Sequence, residues 1–329
     1  MRLVLEKRAE HSTLMAVLSP VLAIGLTVFV GAIVFAALGL DPLAALYVYF
    51  VEPVTSLWSL EELIVKAAPL VLIGVGLAVC YLANVWNIGA EGQLTAGALV
   101  GSIVPVMFHD WQSPLVLPSM LLLGAAGGMA YAAIPAVLKN RFGANEILTS
   151  LMLVYVAQLA LDWLVRGPWR DPGGFNFPKS VTFEDWQLLP TLGAGRVHLG
   201  ALIALLVVVV LAVVMARTLK GFEIRVLGNA PRAGRFAGFS RDRMVVYGFT
   251  AIIVAFLGRL NPVGVLFAGL LLAISYLGGE AAQVSLGISD KIAKVFQGIL
   301  LFFVLACDTL ILYRITVIGG RLLRPVPAE

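Results

Sequence analysis

Three polar segments interrupt an otherwise apolar chain, and they hold the residues whose types and spacing bear on function. The first is Asn84-Val-Trp-Asn-Ile-Gly-Ala-Glu-Gly-Gln93. It sets amides, a carboxylate and two glycines between two apolar runs. One reading is a short cytoplasmic turn, since Glu91 followed by Gly92 suits a loop. The other is irregular backbone at membrane depth, tolerated only when buried or facing a water-filled cavity. In that case Asn87, Glu91 and Gln93 face a path, and Gly89 and Gly92 let backbones approach closely. The second segment is Gly143-Ala-Asn-Glu-Ile-Leu-Thr-Ser150. Asn145 suits a helix N-cap, and Glu146 falls in the first turn, where the helix dipole favours it. The competing reading places both along a passage. The third, Gly221 to Arg243, is polar and basic. Pro231 suits the first turn of a short helix. Ala233, Phe236 and Ala237 form its small apolar face, and Gly238 is a C-cap candidate. Such a helix can dock in another protein's groove.

Covalent chemistry finds little support. No G-x-x-x-x-G-K-[ST] phosphate loop is present. His11, His109 and His198 are scattered, and no His/Cys/carboxylate set has metal-ligand spacing. No nucleophile–base pair can be argued. The chain is expected not to be an enzyme and to hold no cofactor or metal of its own. Its two cysteines, Cys80 and Cys307, lie in apolar runs and make no disulfide framework.

The elements that position these segments follow from composition. Of 329 residues, 60% are hydrophobic and 13% charged, and mean hydropathy is +0.97. A soluble domain of that make-up lacks the polar side chains to cover its surface. The net charge of +4 suggests no nucleic-acid partner, because Lys and Arg punctuate loops between apolar spans. A spanning helix needs about 20 apolar residues. Spans are expected at Leu14–Gly39, Val65–Ala83, Gln93–Phe108, Leu115–Leu138, Ile147–Val165, Leu199–Ala216, Val263–Gly278 and Ile292–Tyr313. The runs are continuous and rich in Leu, Ala and Val, which argues for helices and against a barrel. Residues 1–329 are read as one all-α, polytopic transmembrane domain.

The Lys and Arg distribution sets the expected orientation. Arg2, Lys7 and Arg8 precede the first span, and Arg314, Arg321 and Arg324 follow the last. Loop 217–243 carries Arg217, Lys220, Arg225, Arg232, Arg235, Arg241 and Arg243. Both termini and that loop are therefore expected in the cytoplasm, and segment 166–198 outside. Three apolar runs lie between Arg243 and Arg314, where parity demands an even number of crossings. Met244–Leu257 is the misfit. Its 14 residues reach only about 21 Å as a helix, against a bilayer core of about 30 Å. It is expected to be re-entrant, in-plane or packed inside a bundle, leaving eight spans. Few carboxylates fall within the spans, which disfavours ion-driven transport.

At these segments the chain resembles the membrane permeases of bacterial ATP-binding-cassette importers, in the branch for simple sugars and nucleosides. The resemblance rests on Asn87-Ile-Gly-Ala-Glu-Gly-Gln93, Asn145-Glu-Ile147, Gly221-Phe-Glu-Ile-Arg225 with Ala237-Gly238, and Gly258-Arg-Leu-Asn-Pro-Val-Gly264. It implies a multi-pass subunit of the bacterial inner membrane forming half of a pore. The expected partners are a second permease, cytoplasmic ATPase subunits that bind the ATP, and an external substrate-binding lipoprotein. It implies a solute pathway along Trp86, Asn87, Glu91, Gln93, Asn145 and Glu146. It implies an ATPase-coupling element at Glu223, Pro231, Ala233, Ala237, Gly238 and Arg241.

Two departures from that family are visible. Leu153-Val-Tyr155 replaces a polar residue by Val154. Val246 runs directly into Tyr247-Gly-Phe-Thr250, where the family has a further span and an external loop. About one span is expected to be missing after Val246. Two other functions stay open at this stage: an ion-coupled secondary transporter, and a degenerate permease that assembles without transporting.

Overall fold

The long apolar runs become helices because a backbone in lipid must satisfy its own hydrogen bonds. The computed structural model describes residues 2–7, 13–175, 177–193, 195–237 and 262–318. The order is β1 (Arg2–Lys7), α1 (Thr13–Ala37), α2 (Pro42–Leu46), a π-helical turn (Tyr47–Val51), α3 (Leu57–Leu82), α4 (Ala90–Met107), α5 (Val116–Phe142) and α6 (Glu146–Arg166). A short turn at Asp185–Gln187 follows, then α7 (Leu199–Arg217), α8 (Leu219–Asn229), α9 (Pro231–Phe236), α10 (Pro262–Leu286), α11 (Asp290–Leu312) and β2 (Tyr313–Ile318). Seven of the described helices are long and apolar enough to cross a membrane: α1, α3, α5, α6, α7, α10 and α11. The expected span Gln93–Phe108 forms as α4 but falls outside those seven, because Glu91 and Gln93 sit in its first turn.

The chain divides into two units. One comprises Val54–Ile274. Within it α4 runs antiparallel to α5. A Cβ on Gly97 would lie 2.8 Å from the Gly124 carbonyl oxygen, and one on Gly101 2.9 Å from that of Met120. Only glycine permits so close an approach. Helix α4 runs parallel to α6, because Gly89 meets Ser150 and Gly92 meets Val154. Helix α4 is 18 residues long and packs along the spanning α5. Helix α8 turns back beneath the ends of α3 and α7. Val79, Ala83, Val85, Met215, Ile224 and Leu227 form that core, and the Arg225 guanidinium donates to the Met215 carbonyl at 2.6 Å.

The other unit comprises Met1–Pro53 and Ser275–Glu329. Its core is aromatic. Phe296 of α11 stacks on Phe35 at 5.0 Å and on Tyr49 at 4.6 Å. The Tyr49 and Ser275 hydroxyls share a hydrogen bond of 2.8 Å. β1 and β2 pair antiparallel, with Arg2 opposite Ile318 and Lys7 opposite Tyr313. The two terminal strands therefore lie side by side.

Three boundaries differ from the sequence reading. Helix α3 begins at Leu57, not Val65, because the Ser56 hydroxyl caps it by accepting from the Ser59 N–H at 3.0 Å. Helix α11 stops at Leu312, and Tyr313 opens a strand that an all-helical reading omits. Between the expected spans Leu14–Gly39 and Val65–Ala83 the chain forms α2 and the π-helical turn. The misfit run Met244–Leu257 lies outside the described residues.

Candidate functional site

Between α3 and α4 the backbone leaves the helix at Asn84, which takes a left-handed conformation with φ 56°. Asn87 is wholly buried and Gln93 nearly so. Their amides pair reciprocally. Asn87 Nδ2 donates to Gln93 Oε1 at 3.2 Å, and Gln93 Nε2 donates to Asn87 Oδ1 at 3.3 Å. Asn87 Oδ1 also accepts from the Gly89 N–H at 2.8 Å, and the Asn87 carbonyl accepts from the Tyr81 hydroxyl at 3.0 Å. The Ile88 N–H donates to Ser150 Oγ at 3.1 Å. Backbone groups freed by the break thus find partners inside the protein.

The break packs against the first turns of α6. Gly89 sits against Ser150, four residues into α6, or about 6 Å from that helix's start. A Cβ on Gly89 would come within 2.9 Å of the Ser150 carbonyl oxygen, and one on Gly92 within 2.8 Å of Val154 Cα.

The other pathway candidates divide. Trp86 is half-exposed, and its indole donates to Asn84 Oδ1 at 2.9 Å. Glu91 is exposed, and its carboxylate accepts from Gln158 Nε2 at 2.9 Å. Asn145 caps α6 by accepting from the Ile147 N–H at 2.9 Å. Glu146 forms an ion pair with Lys139 at the α5–α6 turn. The structure therefore sets Glu91 and the backbone at Ile88, Gly89 and Gly92 against α6, turns the Asn87–Gln93 pair inward, and leaves Asn145 and Glu146 to the α5–α6 turn. Ser150 and Gln158 belong to the cluster and were not singled out from sequence. Their signal was available: with Val154 they recur every four residues, on one face of α6.

In the expected coupling element, Glu223 pairs with Lys220 at 2.8 Å. Helix α9 starts at Pro231, as expected, and Ala233, Phe236 and Ala237 are exposed. Gly238 and Arg241 lie outside the described residues.

On segment 166–198, Arg196 forms an ion pair with the buried Glu62 of α3, its backbone N–H donates to Glu61 at 2.9 Å, and its guanidinium lies 5.9 Å from the Trp58 ring centre. Asp171 accepts from the Gly173 N–H at 2.9 Å and pairs with Lys179 at 3.2 Å. The first of these bonds, then the second, hold its carboxyl below the usual carboxylate range.

A cavity of about 770 Å³ runs between α3, α4, α5 and residues 187–189. Its walls are mainly leucine, methionine, alanine and glycine, with Gln93, Ser102 and Gln187 as the polar residues.

Residues 59–250, more than half of the chain, match the family described as the permease component of the branched-chain amino acid transport system. The chain belongs to this family. The permease is 34% identical to a glucose ABC transporter permease protein of Haloferax volcanii, over 94% of this chain and 93% of that one. It is 26% identical to a nucleoside ABC transporter permease protein of Lactococcus lactis, over 88% and 90%. It is 25% identical to a guanosine ABC transporter permease protein of Bacillus subtilis, over 96% and 98%. The protein is thus a membrane permease subunit of an ATP-binding-cassette importer. The first alignment runs over 354 positions against the permease's 329 residues, so at least 25 positions (354 less 329) have no residue in this chain. The family match ends at residue 250, four residues past Val246.

Proposed function

We propose that this permease forms half of a pore for a simple sugar or nucleoside in a bacterial cytoplasmic membrane. The carrying observation is the similarity to a glucose permease along 94% of the chain. A second permease supplies the other half of the pore. Cytoplasmic ATPase subunits bind and hydrolyse the ATP, and grip α8, α9 and the residues up to Arg241. An external lipoprotein delivers solute to the face carrying segment 166–198. Both termini and loop 217–243 lie in the cytoplasm, as the Lys and Arg excess there requires.

The chemistry assigned to the chain is recognition and gating. The exposed Glu91 carboxylate offers acceptors suited to hydroxyl groups, and Trp86 offers a ring face for a base or a sugar, while the buried Asn87–Gln93 pair holds the backbone beside them. Alternating access moves the solute, and hydrolysis belongs to the partner.

The test is reconstitution in proteoliposomes with the cognate ATPase, second permease and binding protein. Uptake of labelled glucose or guanosine that requires ATP supports the proposal. Uptake by the chain alone under a proton or sodium gradient overturns it.

The shortfall of at least 25 positions against the glucose relative favours a second reading, a subunit that assembles without transporting. It predicts normal ATPase binding with no flux, and flux restored on inserting a span after Val246.

A further inference from the structure

The exposed surface of α6 carries an apolar strip and a polar row, with the exposed Leu148 and Tyr155 beside the polar row. Met152, Val156, Leu159 and Trp163 are all exposed and apolar. Gln158, Asp162 and Arg166 are exposed and polar. At about 100° per residue the two strips are centred about a quarter of a turn apart and converge at Arg166. Lipid suits the first strip. It does not suit the second, because a membrane-embedded carboxylate or guanidinium is stable only toward water or a partner charge. Asp162 and Arg166 pair with each other at 2.7 Å. Gln158 donates to Glu91 of α4 at 2.9 Å. It is the thirteenth of the 21 residues of α6, close to mid-span.

We infer that Gln158 and Glu91 form the solute-contacting pair at the middle of the passage, and that Asp162 and Arg166 continue the hydrophilic track from it toward the outer end of α6. The chemical class they fit is a neutral polyol, a sugar or the ribose of a nucleoside. The carboxylate accepts from vicinal hydroxyls, and the Gln158 amide offers a carbonyl acceptor and a second N–H donor. Ser150 continues the row on the inner side, and the buried Val154 interrupts it.

The cavity between α3, α4 and α5 does not compete for this role. A polyol there would meet leucine, methionine and glycine, and its hydroxyls would go unpaired. Gln93, the amide shared by that cavity, already pairs with Asn87.

This assignment rests on the proposed function, and its test can fail separately. Cys80 and Cys307 are buried, so an introduced thiol can be read against a quiet background. In the assembled transporter, Gln158→Cys is treated with a charged, membrane-impermeant methanethiosulfonate, with and without saturating glucose or guanosine. The expected result is modification at least tenfold faster than in Leu159→Cys on the apolar strip, slowed at least threefold by one of the two solutes. Gln158→Leu should raise the KM for that solute severalfold while leaving its maximal ATP-driven rate within twofold. The inference is overturned if Gln158→Cys reacts no faster than Leu159→Cys, or reacts without protection by either solute, while uptake by the unaltered transporter is intact. If the unaltered transporter shows no ATP-dependent uptake, the proposed function itself has failed.

Discussion

Asn87 and Gln93, six residues apart, close a ring of two side-chain hydrogen bonds in the interior, at 3.2 and 3.3 Å. Removing Gln93 leaves Asn87 Nδ2 without its acceptor, and removing Asn87 leaves the Gln93 amide and the Gly89 N–H without theirs. An orphaned buried polar group costs about 1–3 kcal/mol. Asn87→Ala and Gln93→Ala should each lower unfolding stability by about that amount. The double variant should lose little more than either single one, because the second change removes the orphan left by the first. Thermal unfolding of the detergent-solubilised protein checks this. Simple addition of the two losses would show that the pair does not act as a unit.

Gly92 is required by contact with α6, not by its own backbone angles. An added Cβ would lie 2.8 Å from Val154 Cα and 3.1 Å from the Leu153 carbonyl oxygen. Backbone cannot swing aside as a flexible side chain can, so Gly92→Ala must push α4 off α6. Gly298 of α11 has nothing within 4 Å of the same added atom. Gly298→Ala should be neutral or stabilising by up to about 1 kcal/mol through helix propensity, whereas Gly92→Ala should be destabilising and impair uptake. Equal melting temperatures for the two variants would contradict this.

Arg196 holds segment 166–198 to the start of α3 through Glu62. Breaking a buried pair costs about 3–5 kcal/mol, but Arg196 is largely exposed, so Arg196→Ala should cost less, about 1–2 kcal/mol. Glu62→Gln in the Arg196→Ala background should recover part of the loss, because the buried group no longer carries charge. Protease nicking of the segment, faster in the single variant and slower in the double, is the measurement.

Asp171 gives the same segment a pH dependence of defined sign. Its carboxyl is held below the ordinary range by the Gly173 N–H and then by Lys179. A depressed carboxylate contributes stability that is complete above the unfolded pKa of about 3.9 and is lost as pH falls through the lower folded value. Hydrogen exchange at Gly173 should therefore be protected evenly across neutral pH and deprotected only below about pH 4. Asp171→Asn should remove the dependence. Loss of protection between pH 7 and 5 in the unaltered protein would contradict it.

The sequence made the helices legible, because runs such as Leu199–Ala216 have no stable state in lipid except a helix. It made Asn145 legible as a cap, since that role is local. Asn87 was left between two readings, because burial of the break depends on Ser150, 62 residues away along the chain. Arg196 and Glu61 lie 135 residues apart, and no local pattern announces such a pair. The start of α3 was placed late for the same reason: Glu61 and Glu62 read as loop until Arg196 is brought beside them. The terminal strands escaped because six-residue runs such as Arg2–Lys7 have no meaning until a partner strand is known.

The central claim is that this permease is moved by a separate ATPase seated on α8 and α9. The most direct test mixes the purified permease with the cognate ATPase in nanodiscs and measures ATP hydrolysis. The account predicts stable co-purification and hydrolysis raised severalfold by the permease. It also predicts that Phe236→Asp, on the exposed tip of α9, abolishes both effects without lowering the permease's melting temperature. An ATPase that does not bind, or solute accumulated by the permease alone under an ion gradient, would contradict it.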